Sequence, residues 1–88
     1  MFDSGFGGLT VARATIDLLP NENLIYLGDN ARYPYGAKPL AKIREYSLQI
    51  ADYLIREREV KALVVACNTA TAAALPKLRE LYDIPIWG

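Results

Sequence analysis

The sequence contains no histidine. That removes the commonest general base at neutral pH and the commonest zinc ligand together. It contains one cysteine, Cys67, which excludes an intramolecular disulfide and a metal cluster built on several thiolates. Neither sign of charge is in excess, with ten Lys and Arg against ten Asp and Glu. No basic surplus recruits nucleic acid, and no acidic run suggests a solvated arm. No apolar run approaches the ~18 residues needed to span a bilayer, so no membrane partner is expected. No basic stretch leads into an apolar one, so no secretion signal is read. Repeats, low-complexity runs and interdomain linkers are missing too. A lone thiol and no signal fit a reducing, cytoplasmic setting.

What is present is an ordered, globular composition. Of 88 residues, 52% are hydrophobic and 23% charged, enough for one small domain. The chain is organised around Ala62-Leu63-Val64-Val65-Ala66-Cys67-Asn68-Thr69-Ala70-Thr71. Its apolar opening reads as a strand buried on both faces of a parallel sheet. An alanine-rich helical pattern follows from about Thr69 to Tyr82, and Asn68, Thr69 or Thr71 is expected to cap it. Pro76 is expected to kink or restart that helix. Cys67 thus falls at a strand-to-helix turn beside the positive end of a helix dipole, which favours thiolate over thiol. By position alone, a free cysteine is more often a small buried hydrophobe.

The rest of the chain alternates in the same way. Asp3-Ser4-Gly5-Phe6-Gly7-Gly8 reads as a tight turn whose backbone can approach a ligand. A helix follows with Leu9, Ala12, Ile16 and Leu19 on its apolar face, stopped at Pro20. Leu24–Leu27 reads as a second buried strand ending at Gly28-Asp29-Asn30. After the loop Ala31–Gly36, a second helix starts near Pro39, where proline is tolerated. Leu40, Ile43, Ile50, Ala51 and Leu54 form its apolar face. Lys42, Glu45, Gln49, Asp52 and Arg56 form a face read as merely solvated, with Asp52 and Arg56 paired at i, i+4. Ile84–Trp87 begins a fourth strand. The expected fold is therefore α/β: a three-layer αβα arrangement around a parallel sheet of about four strands, with right-handed βαβ crossovers. The first and last strands look cut, so the domain is expected to be incomplete.

In such a sheet, ligands bind outside the carboxyl ends of the strands. Asp3-Ser4, Gly28-Asp29-Asn30 and Cys67-Asn68-Thr69 each follow a strand directly, and the Tyr33-Pro34-Tyr35-Gly36 loop leaves the same edge. Taken singly, Asp3 and Asp29 are ordinary turn formers, Asn68 and Thr69 ordinary caps, and Tyr33 and Tyr35 ordinary covers for a core edge. Taken together, they place one thiol, two carboxylates and several hydroxyls in one crevice. The glycine turn also allows a phosphate- or nucleotide-binding reading. Its spacing fits neither G-x-G-x-x-G nor G-x-x-x-x-G-K-[ST]. Pyridoxal phosphate is disfavoured, because none of Lys38, Lys42, Lys61 or Lys77 falls directly after a strand.

Four stretches carry a resemblance: Asp3-Ser4-Gly5-Phe6-Gly7-Gly8-Leu9, Gly28-Asp29, Tyr33-Pro34-Tyr35-Gly36 and Ala66-Cys67-Asn68-Thr69-Ala70-Thr71. In order and separation they resemble the amino-terminal motifs of the cofactor-independent aspartate/glutamate racemases. The resemblance covers essentially the whole chain. It implies interconversion of L- and D-glutamate without any cofactor, supplying D-glutamate for peptidoglycan. It implies two cysteines on opposite faces of the substrate α-carbon, with Cys67 matching the one that acts on D-glutamate. Asp3 and Ser4 match a substrate-binding pair, the aspartate also assisting the cysteine. Tyr35 and Gly36 match a loop contact, and Asn68 and Thr69 match groups that hold the carboxylates. Asn30 and Tyr33 are minor variations on the pattern. The partner implied is a small molecule, with no nucleic acid, and the resemblance allows a homodimer of the full-length protein.

The family's second cysteine lies in a later Gly-Cys-Thr-His motif, and nothing here corresponds to it. Residues 1–88 are therefore expected to be the amino-terminal part of the first of two domains, the second domain being absent. They are expected not to racemise glutamate alone. A non-catalytic module binding an amino acid or phosphate is the alternative.

Overall fold

The computed structural model describes residues 1–88. Four short strands alternate with three α-helices: β1 (Phe2–Asp3), α1 (Leu9–Leu18), β2 (Leu27–Gly28), α2 (Leu40–Asp52), β3 (Leu63–Val64), α3 (Asn68–Leu81) and β4 (Ile86–Trp87). All pairing is parallel. Phe2 lies opposite Leu27 and Asp3 opposite Gly28, while Leu63 lies opposite Ile86 and Val64 opposite Trp87. Regular pairing thus forms two two-stranded units. A single parallel bridge, Phe2 to Val65, lies between them, and the Ala66 amide donates to the Phe2 carbonyl at 2.8 Å. The expected α/β class is present, with strands shorter than the apolar runs suggested.

The core forms where α2 and α3 pack on each other and on the strands. Phe2, Tyr35, Ile43, Leu54, Leu63 and Leu78 are sealed from solvent there. The alanines of α3 explain the close approach. Ala70, Ala73 and Ala74 are buried, and small side chains let a neighbouring helix come near. Helix α2 buries Ile43, Ile50 and Ala51 as its spacing predicts, but Leu40 is exposed. Ser47 takes a core position instead, its hydroxyl satisfied by donating to the Ile43 carbonyl at 2.7 Å. A turn of π-helix, Tyr53–Glu57, extends α2, and Leu54 within it is buried as expected.

Other expectations are corrected. Helix α1 stops before Pro20 as predicted, yet of its expected apolar face only Ala12 is buried. Leu9, Ile16 and Leu19 remain about half exposed, because no second element covers α1 from outside. Leu24 to Leu27 are half-buried rather than buried on both faces, for the same reason. Helix α3 runs through Pro76 without interruption. The carbonyl that the missing N–H would have bonded belongs to Ala72, on the exposed side of the helix where water can serve it. The polar face of α2 does more than meet solvent. Arg56 pairs with Asp52 at 2.7 Å as predicted, but Asp52 also accepts the Tyr82 hydroxyl at 3.1 Å, and Gln49 accepts from Arg32 at 2.7 Å. No helix is long and apolar enough to cross a membrane.

Candidate active site

The carboxyl ends of β1 and β3 are neighbours because of the Phe2–Val65 bridge. One residue further along each chain stand Asp3 and Ala66, and one beyond those, Ser4 and Cys67. The strand register therefore brings the first carboxylate and the only thiol to one edge.

Asp3 is 4% exposed. Its Oδ2 accepts the Gly8 amide at 2.6 Å and the Tyr26 hydroxyl at 3.3 Å. A carboxylate so far from solvent is tolerable only with donors aimed at it. The glycine turn supplies one of those donors by close packing, not by left-handed backbone, since no glycine has positive φ. A Cβ on Gly8 would stand 2.9 Å from the Ala66 Cβ and 3.0 Å from both the Asp3 Cβ and the Tyr26 hydroxyl. The turn is thus folded around Asp3. Its Gly8 amide is taken by the chain's own carboxylate, whose charge opposes a phosphate, and this counts against the phosphate reading.

Cys67 is 8% exposed and borders the core. It is itself the N-cap of α3, its sulfur accepting the Ala70 amide at 3.5 Å. The expectation that Asn68, Thr69 or Thr71 would cap is therefore corrected. The sulfur already occupies the position from which a cap reaches the third helical residue. The Thr71 hydroxyl turns back to the Cys67 carbonyl at 2.9 Å. Asn68 is exposed and Thr69 half-buried, and neither side chain has a hydrogen-bond partner within the chain. Half-buried Ser4 likewise has none. Three polar side chains are thus left uncommitted beside a buried thiol.

The Tyr35 ring is 1% exposed, while Gly36 is exposed with open space around it. The Tyr35 hydroxyl donates to Asp29 Oδ2, which also accepts Arg32 Nε at 2.6 Å. The Arg32 guanidinium lies 3.9 Å from the centre of the Tyr46 ring. Burial holds the Tyr35 phenol far above its ordinary value, and the bond to Asp29 and its charge add to this. Arg32 opposes the shift. Burial likewise raises the Tyr26 phenol, with the Asp3 charge and hydrogen bond adding.

Sequence reasoning missed two features. Tyr26 was read only as part of an apolar strand, although a phenol in such a run needs a partner for its hydroxyl. Asp29 was read as an edge carboxylate but not as the anchor of Tyr35. The largest cavity, about 820 Å³, lies elsewhere. It is lined by Met1, Leu19, Ile25, Val64 and Trp87 among others, toward the amino ends of the strands and beside α1. No group of three or more acidic, cysteine or histidine side chains is placed to hold a metal ion.

No family model matches the chain. Individual proteins do. A glutamate racemase of Corynebacterium diphtheriae is 58% identical over 88 residues, all of this chain and 33% of that protein. One of Thermus thermophilus is 56% identical over 88 residues, all of this chain and 34% of that protein. The chain thus spans about a third of the length of the curated relatives it matches. Among solved structures, Thermus thermophilus glutamate racemase in complex with β-chloro-D-alanine superimposes with a TM-score of 0.93 at 56% identity, covering 97% of this chain and 33% of that one. Escherichia coli glutamate racemase, in complex with L-glutamate and the activator UDP-MurNAc-Ala, gives 0.94 at 44% identity, covering 99% and 33%. In sequence and in fold, the chain is similar to glutamate racemases over about a third of their length.

Proposed function

We propose that this chain carries one half of a site that interconverts L- and D-glutamate without a cofactor, Cys67 serving one face of the substrate α-carbon. The observation that supports this most is the strand register that sets Asp3 and Cys67 on one edge. An α-proton is weakly acidic, and its removal needs a base shielded from water and donors fixed where charge develops. Cys67 is the base, and Asp3 assists it. Ser4, Asn68 and Thr69, whose side chains have no partners in the chain, receive the substrate's carboxylates and ammonium. The Tyr35–Gly36 backbone closes one side.

One thiol serves one face, and racemisation needs a second acid/base on the other. Residues 1–88 hold no other cysteine and no histidine. They act as the amino-terminal part of the first of two domains, the second acid/base lying outside this stretch. In the finer architecture we propose, the two strand pairs join through the Phe2–Val65 bridge into one four-stranded sheet. Right-handed crossovers place α1 on one face and α2 with α3 on the other. The setting is the cytoplasm, the product D-glutamate for peptidoglycan, and the full-length protein a homodimer.

The chain is mixed with D-glutamate in heavy water and followed by NMR. D-Glutamate is expected to shift the amides of Ser4–Gly8 and Asn68–Ala70, with the shifts lost in Asp3→Asn and Cys67→Ser. Shifts confined to other residues would overturn the site. Appearance of L-glutamate from the 88 residues would overturn the assignment of Cys67 to one face only.

A further inference from the structure

Asp3 is held by one oxygen. Both of its hydrogen bonds, from the Gly8 amide and the Tyr26 hydroxyl, go to Oδ2. Oδ1 accepts none, and no side-chain oxygen in the chain is both sealed from solvent and unpartnered, so Oδ1 keeps contact with open space. A carboxylate anchored this way has one lone-pair face committed and the other free. The Tyr26 hydroxyl also donates to the Gly5 carbonyl at 3.0 Å, so its single proton is shared between that carbonyl and Asp3 Oδ2 at 3.3 Å. One phenol thus touches both ends of the turn that wraps Asp3, and it reaches there from the residue that precedes the strand next to Asp3's own. Tyr26 comes just before β2, whose Leu27 pairs with Phe2.

We infer that Tyr26 is a positioning residue for the site: its hydroxyl locks Asp3 through Oδ2 and fixes the glycine turn, so that Oδ1 alone faces the substrate and the thiol. This rests on the reading of Asp3 given above. The argument is geometric. With the Gly8 amide as sole donor, the carboxylate could rotate about its Cβ–Cγ bond and present either oxygen. A second, shared donor on the same oxygen, from an aromatic ring just before β2, restricts that freedom at little entropic cost. A carbon at Gly8 would strike the phenol oxygen, so the turn and the ring fit each other and neither has slack. The phenol does not act as a base here. Its proton stays on the oxygen because burial and the Asp3 charge both disfavour phenolate.

The test uses the full chain with the Tyr26 ring labelled with carbon-13 at Cζ. In the unaltered chain the signal is expected to titrate above the ordinary tyrosine range. In Asp3→Asn it is expected to titrate lower, because the neighbouring charge is gone. An unchanged Tyr26 titration in Asp3→Asn would overturn the contact and so the inference. The second arm is Tyr26→Phe, with D-glutamate binding read by amide shifts. A three- to tenfold loss of affinity is expected, with the far-ultraviolet circular dichroism retained. Full affinity in a folded Tyr26→Phe, alongside lost affinity in Asp3→Asn, would overturn Tyr26 while leaving the site intact. Equal affinity in all three chains would overturn the site reading, even where the titration confirms the contact. If Tyr26→Phe does not fold, an unchanged Tyr26 titration in Asp3→Asn still overturns the inference.

Discussion

The sulfur of Cys67 and the amide of Ala70 form the first hydrogen bond of α3, at 3.5 Å. The residue proposed as the base is therefore also the cap of the helix that follows it. Chemistry and stability meet at one atom, and substitutions can separate them. Cys67→Ala loses both the cap and some buried volume, and is expected to destabilise the chain by about 1–2 kcal/mol. Cys67→Ser keeps a capping oxygen and is expected to lose less than half of that. Urea unfolding of the three chains measures the difference. Both variants are expected to abolish the response to D-glutamate, so that response and stability do not track each other.

Two glycines, one ending β2 and one in the loop before α2, should behave oppositely. A Cβ on Gly28 would stand 2.5 Å from the Gly5 carbonyl oxygen, a backbone atom that cannot step aside without moving the turn around Asp3. Gly28→Ala is expected to cost about 2 kcal/mol, in the range of an overpacked core site. A Cβ on Gly36 meets nothing within 4 Å. Gly36→Ala is expected to stay within about 0.5 kcal/mol. Unfolding midpoints for the pair check the contrast, and equal losses would contradict the packing described.

Arg32 holds Asp29 at 2.6 Å, reaches Gln49 at 2.7 Å and lies over the Tyr46 ring. Its planar fork makes all three contacts at once, which an ammonium cannot. The Arg32 side chain is 29% exposed and its partner Asp29 11%, so water screens the pair only partly. Arg32→Ala is expected to cost about 1–2 kcal/mol, and Arg32→Lys to recover less than half of it. The same variants are expected to loosen the loop before α2, read as faster hydrogen exchange at Tyr35 to Lys38.

How much of this was legible in the sequence follows from what each signal measures. The start of α2 and both ends of α3 were located to within about a residue, and the apolar faces hold where Ile43, Ile50, Leu54, Ala70, Ala74 and Leu78 meet a packed neighbour. The same signal overstated α1, because Leu9, Ile16 and Leu19 are spaced for burial in a place where no element meets them. Spacing reports what a face is suited to, not what covers it. The edge that gathers Asp3, Asp29 and Cys67 could be read from topology alone. The hydrogen bonds that orient them could not, since Tyr26 reaches Asp3 across 23 residues and Gly8 reaches it through a turn without regular spacing. The cap was misread because cysteine is seldom counted among capping residues, although its sulfur has the reach.

One buried and two half-buried phenols make a prediction about pH. Tyr35 is raised above 10.0 by burial first and by Asp29 second, Tyr26 by burial and Asp3, and Tyr82 by burial and Asp52. A raised phenol means that the folded chain keeps a proton that the unfolded chain has already released. Above the ordinary tyrosine value the unfolded state binds fewer protons, so stability falls as pH rises. The contribution of these groups is fully present below pH 10.0 and is lost as pH climbs through the folded values. Urea midpoints are therefore expected to show no tyrosine-dependent fall between about pH 8 and pH 10, and a steady decline above it. Tyr35→Phe removes the group with the largest shift. Its midpoint is expected to be lower at pH 8, through the lost bond to Asp29, and to decline less steeply above pH 10. Parallel curves for the two chains would show that Tyr35 ionises freely in the fold, and the closed network around Asp29 would then be wrong.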